Sequence, residues 1–210
     1  MTRQDIMQLP PPQIRGQVSL EETLQARRTT RAFSSKQLSL TAVSQLLWAL
    51  QGVTRVENPP GSETIYHRAA PSAGHTFPLE VYVALGTGFF HYEAIDHNLR
   101  RLADEDLRTR LSTAAVADAN QRAIQTAPLT IVLAADNRRA LNATPIMESA
   151  LRYAHLEAGH AAQNLALQAT ALGLGLCTIT SFQIGVVYET LSLPADHRPI
   201  YLLAVGFGQR

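Results

Sequence analysis

The stretch 145–172 constrains this chain most. Leu151, Ala154, Ala158, Ala161, Leu165 and Leu172 recur three, four or seven residues apart, which predicts one long helix with an apolar face. That face is built largely from alanine, and Gly159 lies on the same helix. Small side chains let a neighbouring helix approach closely, so this helix belongs at the centre of the core or at a subunit interface. His160, Gln163, Asn164 and Gln168 interrupt its apolar run, which suits a buried helix and not a membrane span.

Elements of both kinds are predicted around it. Ser19-Leu20-Glu21-Glu22 reads as a capping box opening a helix that runs to about Arg27. Leu40, Val43, Leu46, Leu47 and Leu50 predict a second amphipathic helix, stopped by Gly52. Residues 53–70, with two prolines and Gly61, read as a loop, followed by a strand over 79–85 and a hairpin through Gly86-Thr87-Gly88 to 89–92. The stretches 98–111 and 114–125 read as helices, and 129–134 as a buried strand. A strand at 176–179, a helix over 183–191 and a strand at 200–205 complete an α+β pattern. Residues 1–18, with Pro10, Pro11 and Pro12, are expected to form an extended arm, and 19–210 a single domain without internal repeats.

Several function classes fall away. The formal charge of +1, with acids and bases interspersed, gives no broad field for a nucleic-acid backbone or an anionic membrane, so neither is expected as a partner. The single cysteine, Cys177, excludes an internal disulfide and multi-cysteine metal sites and suits a reducing compartment. With no apolar block of secretory length near the start, a cytoplasmic location is expected. Gly86-Thr87-Gly88 and Gly173-Leu174-Gly175 lack the context of a dinucleotide fingerprint, and no Gly-x-Ser-x-Gly elbow is present. His155 and His160 are five residues apart, not the four that puts two ligands on one helix face, so no metal site is expected. Cys177 reads as core rather than nucleophile.

Three segments carry positive signals. Arg27-Arg28-Thr29-Thr30-Arg31 offers forked donors and hydroxyls suited to a phosphate monoester, although a basic turn at a helix C-terminus would look the same. Pro71-Ser72-Ala73-Gly74 can bring backbone against a flat ligand, or simply turn the chain before a strand. In 173–182, a helix stop and a short strand lead to Thr180-Ser181, where backbone amides could be exposed.

The order Arg-Arg-Thr-Thr-Arg-Ala-Phe (27–33), Gln-Leu-Leu-Trp-Ala-Leu-Gln-Gly (45–52), Pro-Ser-Ala-Gly (71–74), Glu-Ala-Gly-His-Ala-Ala-Gln-Asn-Leu (157–165) and Leu-Gly-Leu-Gly (172–175) resembles the nitroreductase superfamily. Within it the chain is similar to the SagB-type dehydrogenase branch. That resemblance implies a nitroreductase-like α+β fold with a central mixed or antiparallel sheet flanked by helices. It further implies a homodimer with FMN at the interface and NAD(P)H as reductant.

Carried over residue by residue, the resemblance gives Arg27, Arg28, Thr29 and Arg31 to the FMN phosphate and the pyrimidine edge, and Gln51 to a flavin-side polar position. It gives Pro71, Ser72, Ala73 and Gly74 to the loop laid against the partner's ring, and Thr180 and Ser181 to the amides facing flavin N5 and O4. Arg210 stands where relatives supply a second phosphate-binding base. An arginine near N1 and O2 favours the reduced anion, and with hydride moving through N5 no acid–base dyad is required of the protein. The reaction implied is hydride transfer from NAD(P)H through FMN to a small nitro or quinone acceptor. The alternatives are azoline dehydrogenation on a peptide and FMN binding without turnover. Azole-forming members of the SagB branch carry a Lys-Tyr pair just before the central helix, where this chain has Pro145-Ile146.

Overall fold

A computed structural model describes residues 5–209 of the chain. Its centre is a seven-stranded sheet in the order β1-β6-β5-β4-β7-β9-β8, antiparallel at every pairing. The strands are β1 (Ile6–Gln8), β4 (Leu79–Leu85), β5 (Gly88–Glu93), β6 (Asn98–Ala103), β7 (Leu129–Asp136), β8 (Gly175–Ile179) and β9 (His197–Gly206). A separate antiparallel pair is formed by β2 (Val53–Glu57) and β3 (Ile65–Arg68).

Both faces of the central strands are apolar because both are covered. Val81, Val83, Ile131, Leu133, Leu203 and Val205 join the core beneath α2 (Leu40–Gln51) and α6 (Met147–Ala171). Their neighbours Tyr82, Ala84, Val132, Ala134, Leu202 and Ala204 point the other way, into a core shared with α3 (Arg108–Ser112), α4 (Asp118–Thr126) and α7 (Ile184–Leu191). The period of two in side-chain direction thus survives inside a continuous apolar run.

The alanine face of α6 packs within its own chain. Ala154, Ala158, Ala161, Leu165 and Ala169 are buried in the core shared with α2 and the sheet. The opposite face carries Tyr153 and Leu156 into solvent, Leu156 at 55% exposure, while Leu151 is only half buried and Leu172 is exposed.

Helix α1 (Leu20–Ala26) begins as its sequence predicts: Ser19 caps the Glu22 amide at 3.1 Å and Glu22 returns a bond to the Ser19 amide at 2.7 Å. Three stretches differ from expectation. Residues 98–103 are strand β6, not helix; Leu99 is buried while Leu102 is exposed, and Arg100 pairs across the sheet with Glu93 at 2.7 Å. Pairing between β1 and β5 overrides a helix-like leucine spacing there, and only the five residues of α3 are helical. Residues 53–70 hold the β2–β3 pair, which sequence periodicity hides because the strands are short and half exposed. The stretch read as an arm supplies edge strand β1 and buries Leu9, and the Pro10 carbonyl accepts from Ser44 Oγ at 2.5 Å. A fifth short helix, α5 (Asn137–Leu141), follows β7.

Candidate functional site

The structure gathers the expected site residues into two groups. The first lies where the chain between α1 and α2 meets the ends of β8 and β9. Thr29 bridges Leu176, and the Thr30 amide donates to the Leu176 carbonyl at 3.0 Å. Phe33 is buried beside Gly208, Ser34 donates to the Phe207 carbonyl at 2.8 Å, and Gln209 donates to Ala32 at 3.0 Å. The segment is therefore clamped on both sides. Gly175 makes the close approach possible, since a Cβ there would stand 2.3 Å from Thr30 Oγ1.

Within that clamp the arginines differ. Arg28 turns back on its helix, donating through Nη1 to the carbonyls of Gln25 and Arg27, each at 2.8 Å. This is the satisfied basic turn of a helix C-terminus. The Arg27 and Arg31 guanidiniums have no hydrogen-bond or ion-pair partner among the described residues, and Arg27 is half buried. Arg31 lies near enough to Cys177 to lower that thiol electrostatically, though burial wins and the thiol is raised.

Thr180 and Ser181 follow directly from β8. Ser181 accepts from the Val116 amide at 3.2 Å and Gln183 donates to Ala114 at 2.8 Å, which fixes the bend. The Thr180 and Ser181 amides themselves donate to no described group, and both residues are exposed. A groove of about 310 Å³ opens beside Thr180, between α6 and the start of β9. Arg210 lies outside the described residues.

The second group surrounds Glu157 on α6. Gln51, the last residue of α2, is fully buried and donates to Glu157 Oε1 at 3.2 Å. Ser72 lies close enough to the Glu157 carboxylate to favour its charged form, while its Oγ accepts from the Phe77 amide at 2.9 Å. Gly74 sits at φ +59 within the 71–74 turn, a conformation that suits glycine. Pro71 is exposed and Ala73 half buried. Arg68 donates to Gln51 Oε1 at 3.4 Å and lies 4.8 Å above the Phe77 ring, and Asn164 holds the Ala69 carbonyl at 3.1 Å. Burial pushes the Glu157 carboxyl up, outweighing Ser72, its bond to Gln51 and the Arg68 charge. Burial and Arg139 push Arg68 down.

No hydrogen bond or ion pair joins the two groups among the described residues. Glu157, Arg68 and Asn164 were not expected as site residues. Glu157 could have been found, since it falls on the alanine stripe between Ala154 and Ala161, where a carboxylate must be buried and must find partners.

Glu80, Asp136 and His197 bring ligand-type atoms within 4.8 Å of one another. Arg139 forms ion pairs with both carboxylates, and His197 Nδ1 bonds the Tyr82 hydroxyl at 2.6 Å. The guanidinium already supplies the positive charge there.

An antiparallel sheet covered by helices, with a basic segment clamped to the start of the edge strand β8 and two open amides past its end, defines an α+β oxidoreductase of the nitroreductase-like fold. A model of the Nitroreductase family matches residues 24–207, and the chain belongs to that family. It is 34% identical over 208 residues to a protein of Methanocaldococcus jannaschii named as a candidate nitroreductase, covering 96% of this chain and 97% of that one. A candidate nitroreductase from Ralstonia eutropha superposes with a TM-score of 0.84 at 29% identity, over 98% of this chain and 90% of that chain. Another, from Anabaena variabilis, superposes at 0.72 with 25% identity; the match takes in 90% of this chain and 38% of that chain. No helix among the described residues is long and apolar enough to cross a membrane.

Proposed function

We propose that the protein is an FMN-dependent oxidoreductase that carries hydride from NAD(P)H to a small organic acceptor of nitro or quinone type, working as a homodimer. The observation that carries this reading is the pair of unpartnered guanidiniums, Arg27 and Arg31, on a segment clamped to the start of β8, with the open amides of Thr180 and Ser181 just past the end of the same strand. Such a donor set fits a phosphate monoester at one end and the polar edge of a flat ring at the other.

Bound there, FMN supplies the hydride relay that no side chain can provide. Arg27 and Thr29 would hold the phosphate, with Arg28 contributing charge from the helix end. Arg31 faces the pyrimidine edge and favours negative charge on the reduced ring. Thr180 and Ser181 orient that ring through their amides.

Two separate groups on one chain suit a site completed by a second chain. The 71–74 loop, which lies near the buried Gln51–Glu157 pair, covers the ring bound by the partner subunit. Tyr153 and Leu156 on the outer face of α6, with Ile146 and Met147 at its start, provide apolar surface for that contact.

Titration of the FMN-loaded protein with NADH and NADPH under nitrogen tests the activity. Bleaching of the flavin, and its return on adding a nitroaromatic or quinone, is expected. A flavin that stays oxidised with both nucleotides would mark a binder without turnover.

A further inference from the structure

The groove beside Thr180 also holds residues that the flavin reading does not use. Its floor is Thr180 at the end of β8, and its walls include Phe182 and Ile184 on one side and Tyr201 on β9. His155 closes it from α6, with its orientation fixed by a bond from Nδ1 to the Leu151 carbonyl at 2.6 Å. At its rim stands Arg198.

Arg198 is the distinctive residue. Nearby arginines on α5 are spoken for: Arg138 pairs with Asp196, and Arg139 with Glu80 and Asp136. The Arg198 guanidinium has no hydrogen-bond or ion-pair partner among the described residues, and no aspartate or glutamate lines the groove. A free guanidinium in a groove that also holds the Phe182 and Tyr201 rings offers two parallel donors to a planar carboxylate and aromatic surface to the ring of the same molecule. The volume, about 310 Å³, is that of a small-ligand site.

We infer that this groove is the acceptor site, and that Arg198 selects planar aromatic acceptors bearing a carboxylate. The inference rests on the flavin reading for the place of Thr180, but recognition of the carboxylate is a property of the groove alone.

The test compares benzoate with its neutral isostere benzamide, neither of which is reduced, by calorimetric titration of the purified protein whose flavin absorbance is recorded on the same sample. Benzoate is expected to bind about tenfold or more tighter than benzamide, the effect of one charge-assisted contact. Arg198→Ala should remove that preference while leaving benzamide unchanged, Arg198→Lys should retain part of it, and Ile184→Trp should weaken both by filling the slot. With FMN loaded, 4-nitrobenzoate should exceed 4-nitrobenzamide in kcat/KM by a similar factor, again lost in Arg198→Ala. Equal binding of benzoate and benzamide, no binding of either, or a preference that survives in Arg198→Ala overturns the inference. A colourless protein that still prefers benzoate upholds the groove and counts against the flavin reading. A yellow protein indifferent to benzoate does the reverse.

Discussion

Gln51 and Glu157 are 106 residues apart in sequence, yet Gln51 Nε2 donates to Glu157 Oε1 at 3.2 Å inside the protein. The bond ties the C-terminus of α2 to the middle of α6, and Ser72 of the 71–74 loop lies near the same carboxylate. One buried acid thus positions three elements. Replacing it with alanine leaves the buried Gln51 amide without its acceptor and Arg68 without a compensating negative charge, and breaking a buried polar network of this kind costs about 3 kcal/mol. Glu157→Ala should lower the urea midpoint accordingly and make the 71–74 amides exchange faster with deuterium. Unchanged exchange in that loop would show that Ser72 does not depend on Glu157.

Two carboxylates should answer acid in opposite directions. Burial raises the Glu157 carboxyl, so the folded state holds that proton more tightly than the unfolded chain. Its contribution to stability is therefore best below the usual carboxylate value of 4.5 and is lost as pH rises through its raised folded value. Burial also pushes Glu80 up, but the His91 hydrogen bond and the Arg139 charge outweigh it and leave that carboxyl lowered. Its contribution is full above 4.5 and lost as pH falls through the lowered folded value. Between about pH 7 and about pH 3.5, the parent protein should gain stability relative to Glu157→Gln and lose it relative to Glu80→Gln. Urea titrations at the two pH values measure both offsets, and offsets that do not change with pH would contradict the assignment.

Much of this fold is legible in the sequence because burial leaves periodic marks. Helix α6 follows from alanines three and four apart, α1 from its capping box, and β7 from an apolar run between Pro128 and a polar turn. Strand β6 is not legible, because Leu99, Leu102, Leu107 and Leu111 mimic a helix and only pairing with β1 and β5 decides otherwise. The candidate site divides the same way. The basic segment and the 71–74 turn are visible as residue types, whereas the contacts of Gln51 with Glu157 and of Thr30 with Gly175 join residues more than a hundred positions apart. No local pattern encodes such contacts.

Gly175 carries a separate prediction. An alanine there would place its Cβ 2.5 Å from Thr30 Cβ, so the basic segment or β8 must move. Overpacking of this size costs about 1–3 kcal/mol. Gly175→Ala should lose stability and FMN affinity together, and Thr30→Gly in the same chain should restore part of both. A variant as stable as the parent would mean that the clamp is looser than described.

The dimer reading places Leu156 against a second chain, and an arginine there should prevent association by leaving a charge unpaired in an apolar contact. The parent is expected to scatter light as a dimer at micromolar concentration and Leu156→Arg as a monomer that retains little flavin. A parent that is monomeric under these conditions contradicts the shared site.

The arginine cluster is where the account is most exposed. Charge-assisted bonds contribute roughly 1.5–3 kcal/mol each, so Arg27→Ala should weaken FMN binding about ten- to hundredfold. Arg31→Ala should cost less affinity and lower the flavin's reduction potential instead, because its charge favours the reduced anion. The most direct measurement is the absorbance spectrum of the purified protein after incubation with FMN and desalting. A yellow protein with about one FMN per chain is expected, and a triple variant with alanine at Arg27, Arg28 and Arg31 should come through the column colourless. A parent protein with no flavin absorbance, or a triple variant that keeps as much FMN as the parent, would contradict it.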